Sequence, residues 1–268
     1  EDAIKAELGY AERQMSVFSI GPAGENLVKF AGLFGDKDHC AGHNGIGAVM
    51  GVKRLKAFCA PLGTHSIKVA SPKRLLPAIE GMWDTLQKNP GGRKVFLLGT
   101  GGSFKTGDDR VAAGTLPIKN YTTNLYPEAR LMTCQYVRER WKATPNPCWA
   151  CAARHCHMVT ITDGPHRGLT VEEPEYEMFA AMGPLVGNTD PAEALVLSNL
   201  LTLLGLEGNE AGFIVSMVME LYEKGVLTRE DTGGLELTWG NTGAIRTLIE
   251  RIARREGAFA DMLAEGIK

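Results

Sequence analysis

Apolar residues in the first 70 positions alternate with polar ones or form short runs, which is the pattern of β-strands. A Gly-Pro-Ala-Gly segment at residues 21–24 predicts a turn after the first strand. A glycine-rich helix is predicted from residue 46, where apolar residues recur at helical spacing, with Asn44 as its N-cap. A further helix is predicted at the very start of the chain. The predicted strands are residues 15–21, 27–33, 55–60 and 66–70.

Beyond residue 70 the apolar positions recur mainly at the period of amphipathic helices. A Ser-Pro pair at residues 71–72 predicts the start of the first one, with Ser71 as its N-cap. We therefore expect an α+β fold, in which residues 1–70 form a strand-rich unit and residues 71–268 a mainly α-helical domain. The predicted helices are residues 71–86, 127–141, 173–182, 191–204, 209–224, 241–256 and 258–268, interrupted by short strands at 94–98 and 157–162.

The charge and hydropathy of the chain argue against two classes of function. With 29 Lys and Arg against 31 Asp and Glu, the net charge of −2 is not that of a dedicated nucleic-acid-binding protein. No apolar run approaches the ~20 residues of a membrane span, and no secretory leader is visible, so we expect a cytoplasmic protein. Both ends run directly into helical patterns, and we expect the chain to be a fragment of a longer protein.

Three of the six cysteines lie within nine positions, at Cys148, Cys151 and Cys156. Without a secretory signal, clustered cysteines favour metal binding over disulfides. Two thiolates three positions apart can hold a metal from a tight turn, and His155 and His157 offer further ligands. The spacing favours an iron–sulfur cluster, with a structural zinc site or buried free thiols as alternatives. A cluster normally takes four ligands, so one more is expected from outside this chain.

Four carboxylates, at residues 172, 173, 175 and 177, stand where the helix at 173–182 is predicted to begin. The helix macrodipole favours acidic residues in a first turn, which explains them without a function. Crowded carboxylates that are partly buried would also raise one another's pKa, which suits proton transfer. Both interpretations stay open.

Glycine is the compositional outlier, at 32 of the 268 residues, and it is densest at residues 41–51. Gly47 and Gly51 share a helix face, which indicates close packing, whereas an exposed helix N-terminus there would bind an anion. Spacing does not decide between the two. A second glycine-rich segment, residues 96–106, is not a phosphate loop, because Phe104 stands where that motif needs glycine.

Taken in order, these motifs resemble the tungsten-containing aldehyde ferredoxin oxidoreductase family. The resemblance extends over nearly the whole chain. It implies the second half of a sheet-rich, pterin-binding domain followed by a helical domain. The residues that support it are 19–28, 45–57, Cys148 and Cys151, 175–177, 183–188, 205–207, 219–225, 239–241 and 263–266.

The resemblance also implies a set of site residues. One group would contact pterin, a second would ligate the cluster, and an acidic residue near tungsten would accept a proton. The implied pterin contacts are Gly42, His43, Asn44, Gly45, Gly47, Gly205, Leu206 and Glu207; the cluster ligands are Cys148 and Cys151, with Cys156 or His155 as the third; the acid is Glu175 or Glu177.

The sequence departs from the family pattern at several of these positions. His43 stands where the family usually has arginine, while Thr202 and Glu207 replace aspartates of the second pterin motif. The third cluster cysteine usually follows the second by four positions, where this chain has His155. We favour Cys156, one position later, as the third ligand. Ligation by His155, or an altered or absent cluster, is the alternative.

The resemblance implies tungsten or molybdenum held by bis-molybdopterin, a [4Fe-4S] cluster and, as a further candidate ion, magnesium. The expected reaction is the oxidation of a small aldehyde to a carboxylic acid. Electrons would pass through the cluster to ferredoxin or to an iron–sulfur subunit, in a homo- or hetero-oligomer. The alternatives are a related branch that reduces aromatic acyl-CoA thioesters and a non-catalytic, zinc-stabilised binding module. The fragment by itself is expected to be inactive.

Overall fold

Four short strands near the start of the chain form an antiparallel sheet in a computed structural model that describes residues 1–37, 39–64, 67–148, 151 and 153–267. Their order is β3-β2-β1-β4, so β3 and β4 are the edges. The Phe18 and Phe58 rings stack across β1 and β4 with centroids 5.9 Å apart. The elements of this region are α1 (Asp2–Leu8), β1 (Met15–Ser19), α2 (Pro22–Glu25), β2 (Leu33–Gly35), β3 (His39–Ala41), α3 (Ile46–Val52) and β4 (Ala57–Pro61).

The rest of the chain is mainly helical, with a second antiparallel sheet in the order β5-β6-β7. Short 3₁₀ helices precede β1 and interrupt the helical part, at Glu12–Gln14, Pro127–Arg130 and Pro184–Val186. The α-helices are α4 (Pro72–Lys88), α5 (Pro90–Leu98), α6 (Phe104–Ala112), α7 (Cys134–Arg140), α8 (Tyr176–Met182), α9 (Pro191–Leu204), α10 (Gly208–Glu223), α11 (Thr242–Arg254) and α12 (Ala258–Leu263), and the strands are β5 (Lys142–Pro145), β6 (His157–Thr160) and β7 (Thr170–Glu172).

The two regions share one hydrophobic core. Helices α9 to α12 pack around Val28, Phe30 and Ala31 from the first region, and these three side chains are almost fully buried. The backbone joins them as well, since Ala31 and Leu206 form an antiparallel bridge and the Lys29 amide donates to the Ala264 carbonyl at 2.9 Å. The first 60 residues are therefore held by contacts with the last 80.

Within the first region, glycines of the helix α3 allow it to touch two neighbouring backbone segments. A Cβ on Gly51 would lie 1.9 Å from the Gly24 carbonyl oxygen, and one on Gly47 would lie 2.4 Å from that of Gly32. The close-packing interpretation of the glycine-rich helix is therefore confirmed. Its N-cap is Gly45, at a φ of 67°, so the prediction of Asn44 as N-cap is wrong.

A substitution at the end of α9 should reveal how tightly the two regions are packed against each other. Gly205 has a φ of +76° and a Cβ there would lie 2.7 Å from the Gly21 nitrogen, whereas Gly225 has a similar φ of +69° and open space around it. Gly225→Ala is expected to cost about 1–2 kcal/mol from the left-handed backbone alone. Gly205→Ala should cost about 3 kcal/mol or more, because it adds overpacking. Urea denaturation measures both, and equal costs would contradict the packing argument.

The α+β fold class is confirmed, but several predicted elements are wrong. Residues 27–32 form turns and the isolated bridge at Ala31, and the strand begins only at Leu33. Residues 94–98 lie in α5, where Asn89 caps the helix through the amides of residues 91 and 92. The predicted 127–141 helix divides into a 3₁₀ turn and α7, and the last helix already ends at Leu263. Residues 67–70 form no strand, and Ser66 lies outside the described residues.

The sequence also predicted a single strand between the later helices, whereas that strand, β6, is flanked by β5 and β7. Residues 173–175 are not helical, because α8 begins at Tyr176. The macrodipole therefore favours Glu177 in the first turn and Glu175 at the N-cap, but it does not explain the carboxylates at residues 172 and 173. Within the described ranges, no helix has the length and apolarity needed to cross a bilayer.

Candidate functional site

A cleft of about 450 Å³ lies where the first sheet faces the cysteine-rich loop and the ends of α8, α9 and α10. It gathers eight of the side chains predicted from the sequence, which come from both regions of the chain. Those eight are Gly42, His43, Cys148, His155, Cys156, Glu175, Glu177 and Glu207. The predicted residues that do not line it are Asn44, Gly45, Gly47, Cys151, Gly205 and Leu206.

Two thiols face each other in this cleft. The Cys148 and Cys156 sulfur atoms are 4.0 Å apart, and both lie within 4.8 Å of a ring nitrogen of His39. Burial is the main cause that raises the pKa of Cys156, and the neighbouring Cys148 thiol adds to it. The Cys151 amide donates to the Cys148 carbonyl at 3.2 Å, which closes a turn. Among the described residues the Cys151 side chain joins neither of the two potential metal-ligating groups.

His155 is held by a carboxylate. Its Nε2 lies 2.6 Å from Glu175 Oε1 and 3.8 Å from the Cys156 sulfur, so it belongs to the second potential ligand group. The Thr100 hydroxyl donates to the other Glu175 oxygen, and the Tyr176 amide donates to Thr100 at 2.9 Å. Glu175 is thus fixed from two sides at the N-cap of α8.

Burial alone would raise the pKa of Glu175, but the hydrogen bonds from His155 and Thr100 lower it below its ordinary value. The hydrogen bond to Glu175 raises the pKa of His155, against the effect of burial. The two groups therefore favour an ion pair. For Glu175, the prediction that crowded carboxylates raise one another's pKa is wrong, because its nearest partners are donors. Glu177 is exposed at the rim of the same cleft.

A buried ion pair between Arg138 and Glu173 anchors the cysteine-rich loop. Glu173 is 6% exposed, and Arg138 on α7 donates to both of its oxygens, at 2.7 and 2.5 Å. The same guanidinium donates to the carbonyl oxygens of Leu97 and His155. One arginine thus ties together α5, α7, the cysteine-rich loop and the segment before α8. Glu173 has a structural partner and is less suited to proton transfer than Glu175.

The Gly-Leu-Glu motif at residues 205–207 has mainly structural contacts in this chain. Gly205 ends α9 and its carbonyl accepts from the Gly32 amide, while Leu206 is buried in the shared core. Glu207 accepts from the amides of residues 209 and 210 at 2.9 and 2.8 Å, and so caps α10. His43 Nδ1 lies 3.9 Å from Glu207 Oε1 across the cleft.

Two features make the cleft chemically suited to a polar, metal-containing group. The Ser198 hydroxyl is buried in its wall and has no hydrogen-bond partner among the described residues, which is rare unless a ligand supplies one. Thiols and imidazoles are the donors preferred by iron and zinc. The residues present therefore fit the groups that the sequence resemblance implies. Sequence reasoning missed Ser198 and His39, because neither belongs to a motif.

Comparison with known families decides the relationship. Residues 79–268 match the family model of aldehyde ferredoxin oxidoreductase, domains 2 and 3, and residues 1–61 match that of its N-terminal domain. The chain belongs to the aldehyde ferredoxin oxidoreductase family. In this family member, the cleft is lined by residues of both matched ranges.

Individual relatives agree with this assignment. The chain is 35% identical over 271 residues to the tungsten-containing aldehyde ferredoxin oxidoreductase of Pyrococcus furiosus, covering 99% of this chain and 42% of that protein. It is 34% identical to the Thermococcus kodakarensis protein of the same name, at 99% and 42% coverage. The WOR-like subunit of aliphatic sulfonate oxidoreductase from Pyrococcus furiosus is 31% identical, at 98% and 41% coverage. The chain thus spans about two fifths of the length of these relatives.

A solved structure is similar as well. It is the active site complex of benzoyl coenzyme A reductase, determined with 1,5-dienoyl-CoA. The TM-score is 0.77 at 26% sequence identity, over 99% of this chain and 40% of that one.

Proposed function

We propose that this chain is part of the catalytic subunit of a tungsten-containing oxidoreductase that converts an aldehyde to a carboxylic acid. The observation that supports this most is the cleft, which places paired thiols, a fixed carboxylate and an orphaned hydroxyl together. The names of the similar proteins from Pyrococcus and Thermococcus indicate the metal and the substrate class.

When bound, a tungsten or molybdenum bis-molybdopterin supplies two-electron chemistry and an iron–sulfur cluster supplies single-electron transfer. Of this chain's residues, Ser198, Gly42 and His43 line the wall that would contact the pterin. A Cβ on Gly42 would lie 3.0 Å from Glu207 Cγ, so the backbone there approaches the cleft without a side chain. Cys148 and Cys156, with Cys151 in the turn between them, would hold the cluster.

Glu175 is the better of the two proposed proton acceptors. Its carboxylate is ionised in its pairing with His155, and an ionised carboxylate held in place can accept a proton at Oε1 or Oε2. Thr100 and His155 restrict its rotation, which favours a single orientation towards the cleft. Glu177 is exposed, and no partner among the described residues orients it.

The organisation of the protein is proposed on the same basis. A boundary near residue 70 between a pterin-binding unit and a helical domain is supported by the two matched family ranges, which leave residues 62–78 between them. Assembly with a further subunit is supported by a relative that is named as a subunit. That the partner is ferredoxin or an iron–sulfur subunit, and that the protein is cytoplasmic, are proposals that rest on the sequence resemblance. Magnesium is a further candidate ion for the pterin phosphates.

The solved relative favours one second candidate, the reduction of an aromatic acyl-CoA thioester. Its fold similarity extends over 99% of this chain, the cleft included, and it was determined with a dienoyl-CoA thioester. A zinc-stabilised binding module is the remaining alternative, since two cysteines and a histidine also suit zinc.

Metal analysis of the native protein, purified anaerobically from its own cells, separates these proposals. We expect tungsten or molybdenum together with about four irons and as many inorganic sulfides per chain. The same preparation, assayed with aldehydes and a ferredoxin or dye acceptor, should show oxidation. Reduction of aromatic acyl-CoA without aldehyde oxidation would support the second candidate. Zinc as the only metal would overturn both.

A further inference from the structure

We propose that Arg110 on α6 is a positioning residue for Glu175, the proton acceptor of the proposed function. The inference rests on that function and deepens it, because it names the residue that maintains the orientation of the acceptor. Arg110 acts through two residues, Thr100 and Tyr176, which contact each other and the guanidinium. No motif in the sequence contains Arg110, and only the fold brings it to this place.

The Thr100 hydroxyl has its direction fixed by two partners. Its oxygen accepts from the Tyr176 amide at 2.9 Å, and its hydrogen donates to Glu175 Oε2. A hydroxyl has a single hydrogen that rotates to suit its surroundings, so the bond from the amide turns this hydrogen towards the carboxylate. The orientation of Glu175 therefore depends on how Thr100 and Tyr176 are placed relative to each other.

Arg110 holds both of these residues at once. Its Nη2 donates to the Thr100 carbonyl oxygen at 2.8 Å, and its Cζ lies 3.5 Å from the centroid of the Tyr176 ring. The first contact is a charge-assisted hydrogen bond and the second is a cation–π stack, and Arg110 and Tyr176 are both partly buried. One guanidinium thus fixes Thr100 relative to Tyr176, which is the condition for the contact with Glu175.

The glycine-rich segment at residues 99–102, which is not a phosphate loop, carries Thr100. A Cβ on Gly101 would lie 2.3 Å from the Cys134 sulfur, so this segment packs directly on the start of α7. Only a residue without a side chain permits that approach. The segment therefore holds Thr100 within reach of the guanidinium from α6.

Arginine suits this role better than lysine does. A guanidinium is planar, so it can stack on an aromatic ring while one of its N–H groups donates to a carbonyl oxygen. An ammonium is a point charge on a flexible stem and does not keep both contacts in one fixed geometry. Arg110→Lys is therefore expected to retain the charge and to lose part of the positioning.

Steady-state kinetics of the holoenzyme, with metal content measured on every sample, test the proposal. Arg110→Met removes the charge and the donor, and kcat should fall by about 10–100-fold with little change in KM, because a reacting group displaced by about 1 Å loses this much. Arg110→Lys should recover part of that loss. Arg140→Met is the matched control: its guanidinium lies 5.4 Å from the Trp141 ring but pairs with Asp163 at the surface, so its kcat should equal the parent's.

Two further measurements separate positioning from a general loss of structure. When Arg110→Met is combined with Tyr176→Leu, kcat should fall no further than in the more affected single variant, because the two side chains act as one unit. Crystal structures should show the Glu175 carboxylate bonded to Thr100 in the parent and turned away from it in Arg110→Met.

An unchanged Glu175 orientation in Arg110→Met, or a loss of kcat no larger than that of Arg140→Met, would overturn the proposal. Fully additive losses in the double variant would do the same. If Arg110→Met does not fold, the comparison is made with Arg110→Lys, in which an unchanged kcat and an unchanged carboxylate would count against it. If the parent oxidises no aldehyde, the proposed function fails, while the crystal structures still decide whether Arg110 positions Glu175.

Discussion

Replacing Arg138 with alanine is expected to lower the free energy of unfolding by about 3–5 kcal/mol. The reason is the position of its partner, since the Glu173 side chain is 4% exposed and would lose its bidentate arginine, leaving the His157 ring nitrogen 3.9 Å away. Removal of the guanidinium also leaves the carbonyl oxygens of Leu97 and His155 without this donor. Urea denaturation of the two proteins measures the difference.

The chain provides a matched surface control. Arg130 makes a bidentate pair with Asp108 of similar geometry, but both side chains are largely exposed. Solvent screens such pairs, so Arg130→Ala should change stability little. A double variant, Arg138→Met with Glu173→Met, should recover part of the loss because it removes the buried charge. Similar losses for Arg130→Ala and Arg138→Ala would show that burial does not matter at this pair.

Glu175→Gln should reduce turnover of the native enzyme by about 10²–10⁴-fold, the usual range for a positioned acid or base. Glutamine keeps the size of the side chain and can still hydrogen-bond Thr100 and His155, but it does not accept a proton at neutral pH. Because the loss concerns proton transfer, kcat should fall more than KM rises. Steady-state kinetics, with metal content measured on the same samples, tests this.

Glu177→Gln is the control for that experiment, because Glu177 lines the same cleft two residues away and is exposed. Its turnover should stay close to that of the parent. A large loss from Glu177→Gln together with a small one from Glu175→Gln would assign the proton acceptor to Glu177. Loss of tungsten or iron in Glu175→Gln would show that the residue holds the metal site together.

Elements with strong end signals could be predicted from the sequence. Helix α9 matches its prediction because Asp190 caps it, Pro191 starts it and Gly205 ends it. The residues at 94–98 were assigned to a strand because a short apolar run does not distinguish strand from helix. These residues are helical because Asn89 caps α5 and because α5 packs against α4, as in the contact of Trp83 with Phe96.

The candidate site, too, contains residues that local sequence signals identify and residues that only the fold brings together. Cys148 and Cys156 were found because their spacing is unusual, and Glu175 because carboxylates crowd there. His39 and Ser198 could not be found, since a single histidine beside a turn and a serine within an apolar helix are common in many proteins. Their significance arises from the fold, which places a strand from the first region against a loop more than 100 residues later.

The shared core has a consequence for how the chain is made. The Lys29 amide pairs with Ala264, and the Asn26 side chain with Ala253, so the first region waits for partners more than 200 residues downstream. At about 5–20 residues per second, the ribosome needs roughly 10–50 s to synthesise the residues between these partners. During this time Val28, Phe30 and Ala31 have no core to enter, and such long-range topology also folds slowly. We therefore expect the first region to complete its folding only after α11 and α12 have been synthesised.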